Sequence, residues 1–164
     1  MPSSDVENYQ GTGTPTVIQE GYDTLIGIFN DAASSLANGS VVEVSMFNST
    51  TAGFYPWAKQ PASQATVVHL IGVVSNEKMG QGAAGIPAAS WGLARIRGYC
   101  PTILGASAIT TEHTLVSTNT AWTATDTGGS TLATNTFGIA KSTGLTVSPY
   151  TATAYLFGYY VAMP

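Results

Sequence analysis

The sequence predicts an all-β protein, and three observations lead to this fold class. Short runs of apolar and β-branched residues recur along the chain, glycine and proline separate these runs, and helical periodicity competes with a strand pattern in only one stretch. The 164 residues contain 18 glycines and 8 prolines, as expected for many short strands joined by turns. We expect a compact β-barrel or β-sandwich of jelly-roll-like form, because no internal repeat indicates a solenoid or propeller.

The chain is organised around one strand, predicted at Trp91–Cys100. Leu93, Ile96 and Tyr99 are interleaved there with small and charged residues, and glycine and proline bound the segment. This pattern is typical of a half-buried strand. The run Thr66–Ser75 before it is apolar nearly throughout, which predicts a strand covered on both faces.

The stretch Val17–Leu36 fits two structures. Its apolar residues lie on one helical face with Asn38 and Gly39 as a stop, but its middle also fits a short strand and turn. The threonine-rich stretch Thr118–Thr134 predicts loops anchored by Trp122. Further strands are expected at Val41–Phe47, Thr102–Leu104, Thr114–Ser117, Thr136–Ala140 and Tyr155–Val161.

Length and composition limit the organisation and the partners. We expect an extended polar arm at residues 1–16, ordered only when something holds it, and a single β domain over residues 17–164 with long loops. Charged residues make up 9% of the chain and the net charge is −4, with only five basic residues, which argues against nucleic-acid binding. No run is long and apolar enough to span a membrane and the first residues lack a signal-peptide pattern, so we expect the protein to stay in the compartment where it is made. With one cysteine, stability must come from packing or association.

No motif in the sequence indicates a reaction. The glycine spacing at residues 80–85 lacks the surrounding βαβ unit of a dinucleotide site, and no nucleophile elbow is present. His69 and His113 are too few for a metal site without scattered carboxylates. Cys100 is expected to be a small buried thiol. We therefore expect no enzyme activity, catalytic residue, metal, cofactor or small-molecule substrate, while carboxylates that meet only in space stay a remote hydrolase alternative.

A few residues are candidates for contacts with other proteins. Arg95 and Arg97 alternate on one strand face, where guanidinium groups could pair with carboxylates of a neighbour or could simply be solvated. Tyr55 and Trp57 belong to an aromatic group that is either a corner of the core, the favoured interpretation, or an exposed anchor. The arm adds three candidates, which are Asp5, Glu7 and Tyr9.

A succession of short glycine-containing motifs resembles the head decoration, or cement, proteins of tailed bacteriophages. The likeness extends from Asn30 to Met163 and depends on the order of the motifs. In this order they are Leu36–Val42 (LANGSVV), Val68–Val74 (VHLIGVV), Gly85, Trp91–Gly92, Arg97–Tyr99 (RGY), Leu115 and Phe137–Ala140 (FGIA).

The resemblance implies a structural protein on the outer surface of an icosahedral head, made in the host cytoplasm. It implies a compact β-barrel or sandwich that clamps neighbouring major capsid protein subunits and stabilises the capsid, commonly as a homotrimer. It also favours the strand and turn within Val17–Leu36. Two segments, Phe54–Gln64 and Thr118–Thr134, are longer than small members of that group need.

A second function stays open, which is a carbohydrate-binding or receptor-binding β-sandwich on the virion surface. Trp57, Trp91 or Trp122 would then stack on sugar rings, and two solvent-facing rings would share one patch. The cement interpretation instead expects Trp91 to be buried in the core.

Overall fold

The computed structural model describes residues 17–20, 22–45, 56–61, 70–76, 85–119, 121–129, 136–142 and 148–158. These residues form ten β-strands and no α-helix, so the expected all-β class is confirmed. In chain order the strands are β1 (Val17–Glu20), β2 (Asp23–Asn30), β3 (Val41–Ser45), β4 (Trp57–Lys59), β5 (Leu70–Val74), β6 (Ser90–Gly105), β7 (Thr114–Ser117), β8 (Ala124–Asp126), β9 (Gly138–Ser142) and β10 (Tyr150–Phe157).

Five of these strands close a barrel. β2 pairs with β6 and with β4, and β4 is joined back to β6 through β3 and β5. Closing the ring satisfies the backbone groups that the edges of an open sheet would expose. All five strands contribute to the first core, which consists of Ile28, Leu36, Val42, Val44, Ala58, Val74, Ile86 and Ala94.

The other strands are bonded outside the barrel. β1 pairs with β2, while β10, β9, β7 and β8 continue the sheet beyond β6. β8 returns to the end of β6, where Ala124 pairs with Gly105. These strands enclose a second core against residues of β3 and β5, and its members are Val41, Ile71, Val73, Cys100, Ile103, Ile109, Leu115, Ala124, Phe137, Ala140, Ala152, Ala154 and Leu156.

Both cores therefore depend on β3 and β5, which are buried on their two faces. Every residue of β3 is buried, as are Ile71 to Val74 of β5. This confirms the prediction of a strand covered on both faces within Thr66–Ser75, although residues 66–69 lie outside the described part. The two cores share β6 as well, because Ala94 belongs to the first and Cys100 to the second.

β6 confirms the predicted organising strand but is longer than expected. The separate strand predicted at Thr102–Leu104 is wrong, since β6 runs through Pro101 without a turn. Pairing with β10 shifts register there, because Ala152 is opposite Ile103 while Ala154 is opposite Cys100. Such a bulge leaves one residue outside the ladder, which allows a proline without an N–H group to remain in a strand.

The strand and turn predicted within Val17–Leu36 are confirmed, and the helical alternative is wrong. Asn30 ends β2 by a local hydrogen-bond network that competes with helix formation. Its Oδ1 accepts from the N–H of Ala32 at 3.0 Å, and its Nδ2 donates to the carbonyl of Ser34 at 3.0 Å. The same amide donates to the carbonyl of Ile86 at 3.1 Å, which joins this turn to the segment before β6.

The remaining strand predictions differ mainly at their ends. β7 has the predicted bounds, β3 and β10 overlap the predicted strands, and β9 begins at Gly138 rather than Thr136. β8 was missed, because its three residues show no apolar alternation and depend on pairing with β7. Trp122 anchors the segment before β8 as expected, since it packs against the first core and its carbonyl accepts from Val41 at 2.9 Å.

Leu36 provides a test of the first core. It is 2% exposed and bonds through its backbone to Ile86 in both directions, at 2.9 and 2.7 Å. We expect Leu36→Ala to lower the free energy of unfolding by about 3 kcal/mol, because truncation leaves a cavity in a closed barrel. Urea denaturation followed by circular dichroism measures this loss. The same truncation at half-buried Leu104 is the matched control, and an equal loss at both positions would contradict the proposed core.

Candidate interaction surface

The most exposed aromatic surface on the described strands lies on neighbouring strands β6 and β10. Tyr99 is 48% exposed and Tyr155 is 38% exposed, and the two residues are direct cross-strand partners. Ile139 of β9 is the partner of Tyr155 on its other side and is half-buried. The three side chains therefore form one row across β6, β10 and β9.

A second row lies next to the first, where exposed Arg97 pairs with half-buried Phe157. The stem of Arg97 lies against Gly158, because a Cβ atom built on that glycine would be 3.0 Å from the Cβ of Arg97. Gly158 also has a φ of +78°, a conformation that favours glycine. We call Tyr99, Tyr155, Ile139, Arg97 and Phe157 the tyrosine face.

The local sequence of β10 explains why this face is aromatic. In Thr153 to Phe157 the side chains alternate, with Ala154 and Leu156 buried in the second core and Tyr155 exposed. Alternation with period two places Thr153, Tyr155 and Phe157 on the opposite side from that core. The phenol ring is thus directed outward by the same pattern that fills the core.

Asp23, at the start of β2, holds the backbone beneath Tyr99. Its Oδ1 accepts from the N–H of Tyr99 at 3.0 Å, and its Oδ2 pairs with Nη1 of Arg95. The same Nη1 donates to the carbonyl of Tyr99 at 2.6 Å. Asp23 and Arg95 therefore contact both polar groups of the Tyr99 backbone, and we call this arrangement the Asp23 clamp.

The clamp requires glycine at position 98. Gly98 has a φ of +98°, and a Cβ atom there would lie 2.0 Å from Oδ1 of Asp23. A side chain would therefore be strained and would displace the carboxylate that bonds Tyr99. Glycine at this point lets β2 approach β6 closely enough to form the clamp.

The structure separates the two arginines that the sequence places on one face. Arg95 is 2% exposed and paired with Asp23, whereas Arg97 is exposed. The prediction that the two arginines share one environment is therefore wrong. A register shift on β6 interrupts the alternation, because Leu25 pairs with Arg95 while its neighbour Thr24 pairs with Arg97, two residues further along β6. In this subunit the guanidinium of Arg95 is an internal group, and only Arg97 is presented on the surface.

The other sequence candidates do not join this face. Trp57 is half-buried on β4, and Tyr55 lies outside the described residues. Asp5, Glu7 and Tyr9 also lie outside them. The cement interpretation expected Trp91 to be buried in the core, whereas the structure shows it half-buried. Trp91 packs edge-to-face against Phe29, with ring centroids 5.6 Å apart.

Sequence reasoning missed Tyr99, Tyr155, Phe157, Ile139 and Asp23 as candidates. The alternation in β10 is visible in the sequence and could have predicted an outward Tyr155. The pairing of Tyr155 with Tyr99, over more than 50 residues of chain, leaves no local pattern. The role of Asp23 depends on the close approach of β2 and β6, which spacing alone does not predict.

A second polar cluster, around Asp126 of β8, joins two loops. Asp126 accepts from the backbone N–H groups of Thr110 at 2.9 Å and Gly128 at 3.0 Å, and Nδ1 of His113 lies 3.5 Å from its Oδ2. Burial alone would raise the pKa of Asp126, but the two N–H donors and His113 outweigh it and hold this pKa below its ordinary value of 3.8. The cluster joins the loop between β6 and β7 to the segment that follows β8.

The chain matches no family model and no curated protein. Among the residues that the structure describes, no group of three or more histidine, cysteine or acidic side chains could hold a metal ion. No helix suited to crossing a membrane occurs in that part of the chain.

The Asp23 clamp can be tested with a double-mutant cycle. We expect Asp23→Asn and Arg95→Met each to lower the free energy of unfolding by about 2 kcal/mol, because each leaves one charge of a partly buried pair without its partner. The double variant should lose less than the sum, with a coupling of about 1 kcal/mol. Urea titrations of the four proteins measure the cycle, and additive losses would show that the two charges do not interact.

The Asp126 cluster predicts a pH dependence. Because the folded state lowers the pKa of Asp126, the unfolded chain takes up this proton first as the pH falls, so the stabilisation by the carboxylate is present above about pH 5 and disappears as the pH drops through the folded pKa. Asp126→Asn should therefore be less stable than the unchanged chain near pH 6, and the difference should shrink toward pH 3. Thermal unfolding at each pH measures it.

A matched control for this experiment is Glu112→Gln. The Glu112 side chain is 61% exposed and its Oε1 lies 3.3 Å from Nζ of Lys141, an exposed pair of the kind that contributes little stability. The control should therefore change the unfolding temperature little near neutral pH. A difference between the Asp126 variant and the unchanged chain that stayed constant from pH 6 to pH 3 would exclude the carboxylate charge as its cause.

Proposed function

We propose that the chain is a non-enzymatic structural protein that binds the outside of a tailed-phage head and holds neighbouring major capsid subunits together. The single observation that carries this proposal from the structure is the tyrosine face. Tyrosine and arginine are enriched among the residues that dominate binding energy at protein interfaces. A paired row of exposed rings on β6 and β10 therefore suits contact with another protein.

The ordered likeness to decoration proteins supports the same function. Residues from several of the resembling motifs have structural roles in this fold: Gly85 precedes the bridge between Ile86 and Leu36, and Gly98 admits the Asp23 clamp. Each of these glycines permits a close backbone approach that a side chain would block. Attachment to a repeating lattice would also multiply a modest contact through avidity and stabilise the folded state by mass action.

A carbohydrate-binding module is a second candidate, and one observation favours it. Two exposed rings, Tyr99 and Tyr155, lie side by side, which is an arrangement that could stack against sugar rings. The three tryptophans named for this function are all half-buried instead. The cement function is preferred because Arg97 and Phe157 extend the same face with residues typical of protein contacts.

The proposed function predicts that the tyrosine face is required for head binding. The chain would be mixed with heads assembled from the major capsid protein of the same phage without it, and co-sedimentation would measure the dissociation constant. Truncating both rings, Tyr99→Ala with Tyr155→Ala, should weaken binding by at least about 30-fold, as for the loss of an interface hot spot of about 2 kcal/mol. Circular dichroism confirms that the variant is folded.

Lys59→Ala is the control, because Lys59 is exposed on β4, a strand that pairs with neither β6 nor β10. It should bind heads like the unchanged chain. Failure of the unchanged chain to bind heads, or equal binding by the double tyrosine variant, would overturn the proposal. Binding to a glycan array that disappears in the same double variant, without head binding, would establish the second candidate.

A further inference from the structure

The tyrosine face carries an arginine whose charge is not used within the described part of the chain. Of the basic residues described there, Arg95 pairs with Asp23 and Lys141 lies 3.3 Å from Glu112, while Lys59 is on β4, away from this face. Arg97 is exposed, and the described residues contain no hydrogen-bond or ion-pair partner for it. Its guanidinium is therefore free to pair with a carboxylate of another molecule.

The aromatic neighbours of Arg97 define the rest of that partner. Tyr99 and Tyr155 offer apolar ring surface with hydroxyl groups. A complementary segment would carry carboxylates beside an apolar or aromatic side chain and would be poor in basic residues. Positively charged groups on the partner would be repelled by Arg97.

The beginning of the sequence has these properties. Residues 1–16 include Asp5, Glu7 and Tyr9 and no basic side chain, and the first basic residue of the chain is Lys59. We infer that residues 1–16 of one copy dock on the tyrosine face of another copy, with Asp5 or Glu7 pairing with Arg97. This inference rests on the proposed function and deepens it, because it says how the copies of the homotrimer that attaches to the head would contact one another.

The register of β1 favours another copy over the same chain. Glu20 pairs with Asp23, near Tyr99, whereas Val17 pairs with Ile26. Going backwards from Glu20 to Val17 therefore leads away from Tyr99 by about 10 Å, at about 3.4 Å per residue. β1 also lies on the edge of β2 opposite to β6, so β2 separates β1 from the tyrosine face of its own chain.

A contact of this kind has a consequence for symmetry. It joins two different surfaces, residues 1–16 of one copy and the tyrosine face of the next, so it is heterologous. Heterologous contacts form closed rings when the rotation between copies allows closure. In a ring of three copies every segment would be docked and every tyrosine face would be covered. This arrangement agrees with the homotrimer expected from the resemblance.

Charge reversal in the full-length chain tests the inference. Sedimentation velocity would measure self-association of the unchanged chain, of Arg97→Glu, and of the variant with Asp5→Lys and Glu7→Lys. Each reversal alone should weaken association at least about tenfold, because it places like charges together. The chain with all three reversals should recover association, since the charges are complementary again. Lys59→Glu is the control with the same charge change on β4 and should associate normally.

Mixing distinguishes contact between copies from contact within one chain. The Arg97→Glu chain mixed with the Asp5→Lys, Glu7→Lys chain should form mixed complexes, because two of the three contacts in a mixed ring then join a segment to a face of opposite charge. A mixture that stays monomeric, a monomeric unchanged chain, or a triple reversal that fails to recover would each overturn the inference. No heads are used, so a chain that associates as expected but does not bind heads would overturn only the proposed function.

Discussion

The ion pair between Asp23 and Arg95 fixes the position where the barrel meets the tyrosine face. Arg95 pairs across the sheet with Leu25 and Val73, both buried, so its guanidinium is removed from water. That removal costs free energy, which the charge of Asp23 and the carbonyl of Tyr99 offset. An apolar side chain at position 95 would avoid this cost, but it could not bond the Tyr99 backbone. The pair thus contributes a defined geometry at the surface.

The same interaction explains why β6 can serve two cores. A strand of 16 residues that follows one barrel and then a second layer must change direction between them. Register shifts on β6 occur near Arg95 to Arg97, against β2, and near Pro101, against β10. Bulges increase local twist and re-aim side chains. The clamp lies between these two points, and it holds Tyr99 where the strand passes from the first core to the second.

Much of the fold could be predicted from the sequence because its strands are locally consistent. The β-branched run at Val41, the apolar run ending at Val74 and the glycine-bounded segment around Leu93 each predict the strand that is found. The helical alternative at residues 17–36 failed because hydrophobic periodicity gives no information about the side-chain hydrogen bonds of Asn30, which end β2. β8 could not be predicted, since three residues without alternation form a strand only when β7 and Gly105 are in place.

The site was predictable only in part, for a related physical reason. Arg97 was found because arginine in an alternating strand is conspicuous, yet alternation also suggested that Arg95 shares its face. A single inserted residue in the ladder changes the environment of one arginine and not the other, and bulges have no reliable sequence pattern. The tyrosine row needs two strands to be in register, and that register is set by burial of Ala154 and Leu156 in the second core.

The scarcity of charge gives these few ionic contacts their importance. With charged residues at 9% of the chain, most of the surface has no means of orienting a partner electrostatically. Within the described residues, Asp23 neutralises Arg95 and Glu112 lies beside Lys141, so the tyrosine face is left with the charge of Arg97. Aromatic rings supply contact area without direction, whereas a guanidinium beside them imposes both a sign and a geometry on whatever binds. The Asp23 clamp holds Arg95 inside the fold. As a result, Arg97 is the single cation on the tyrosine face.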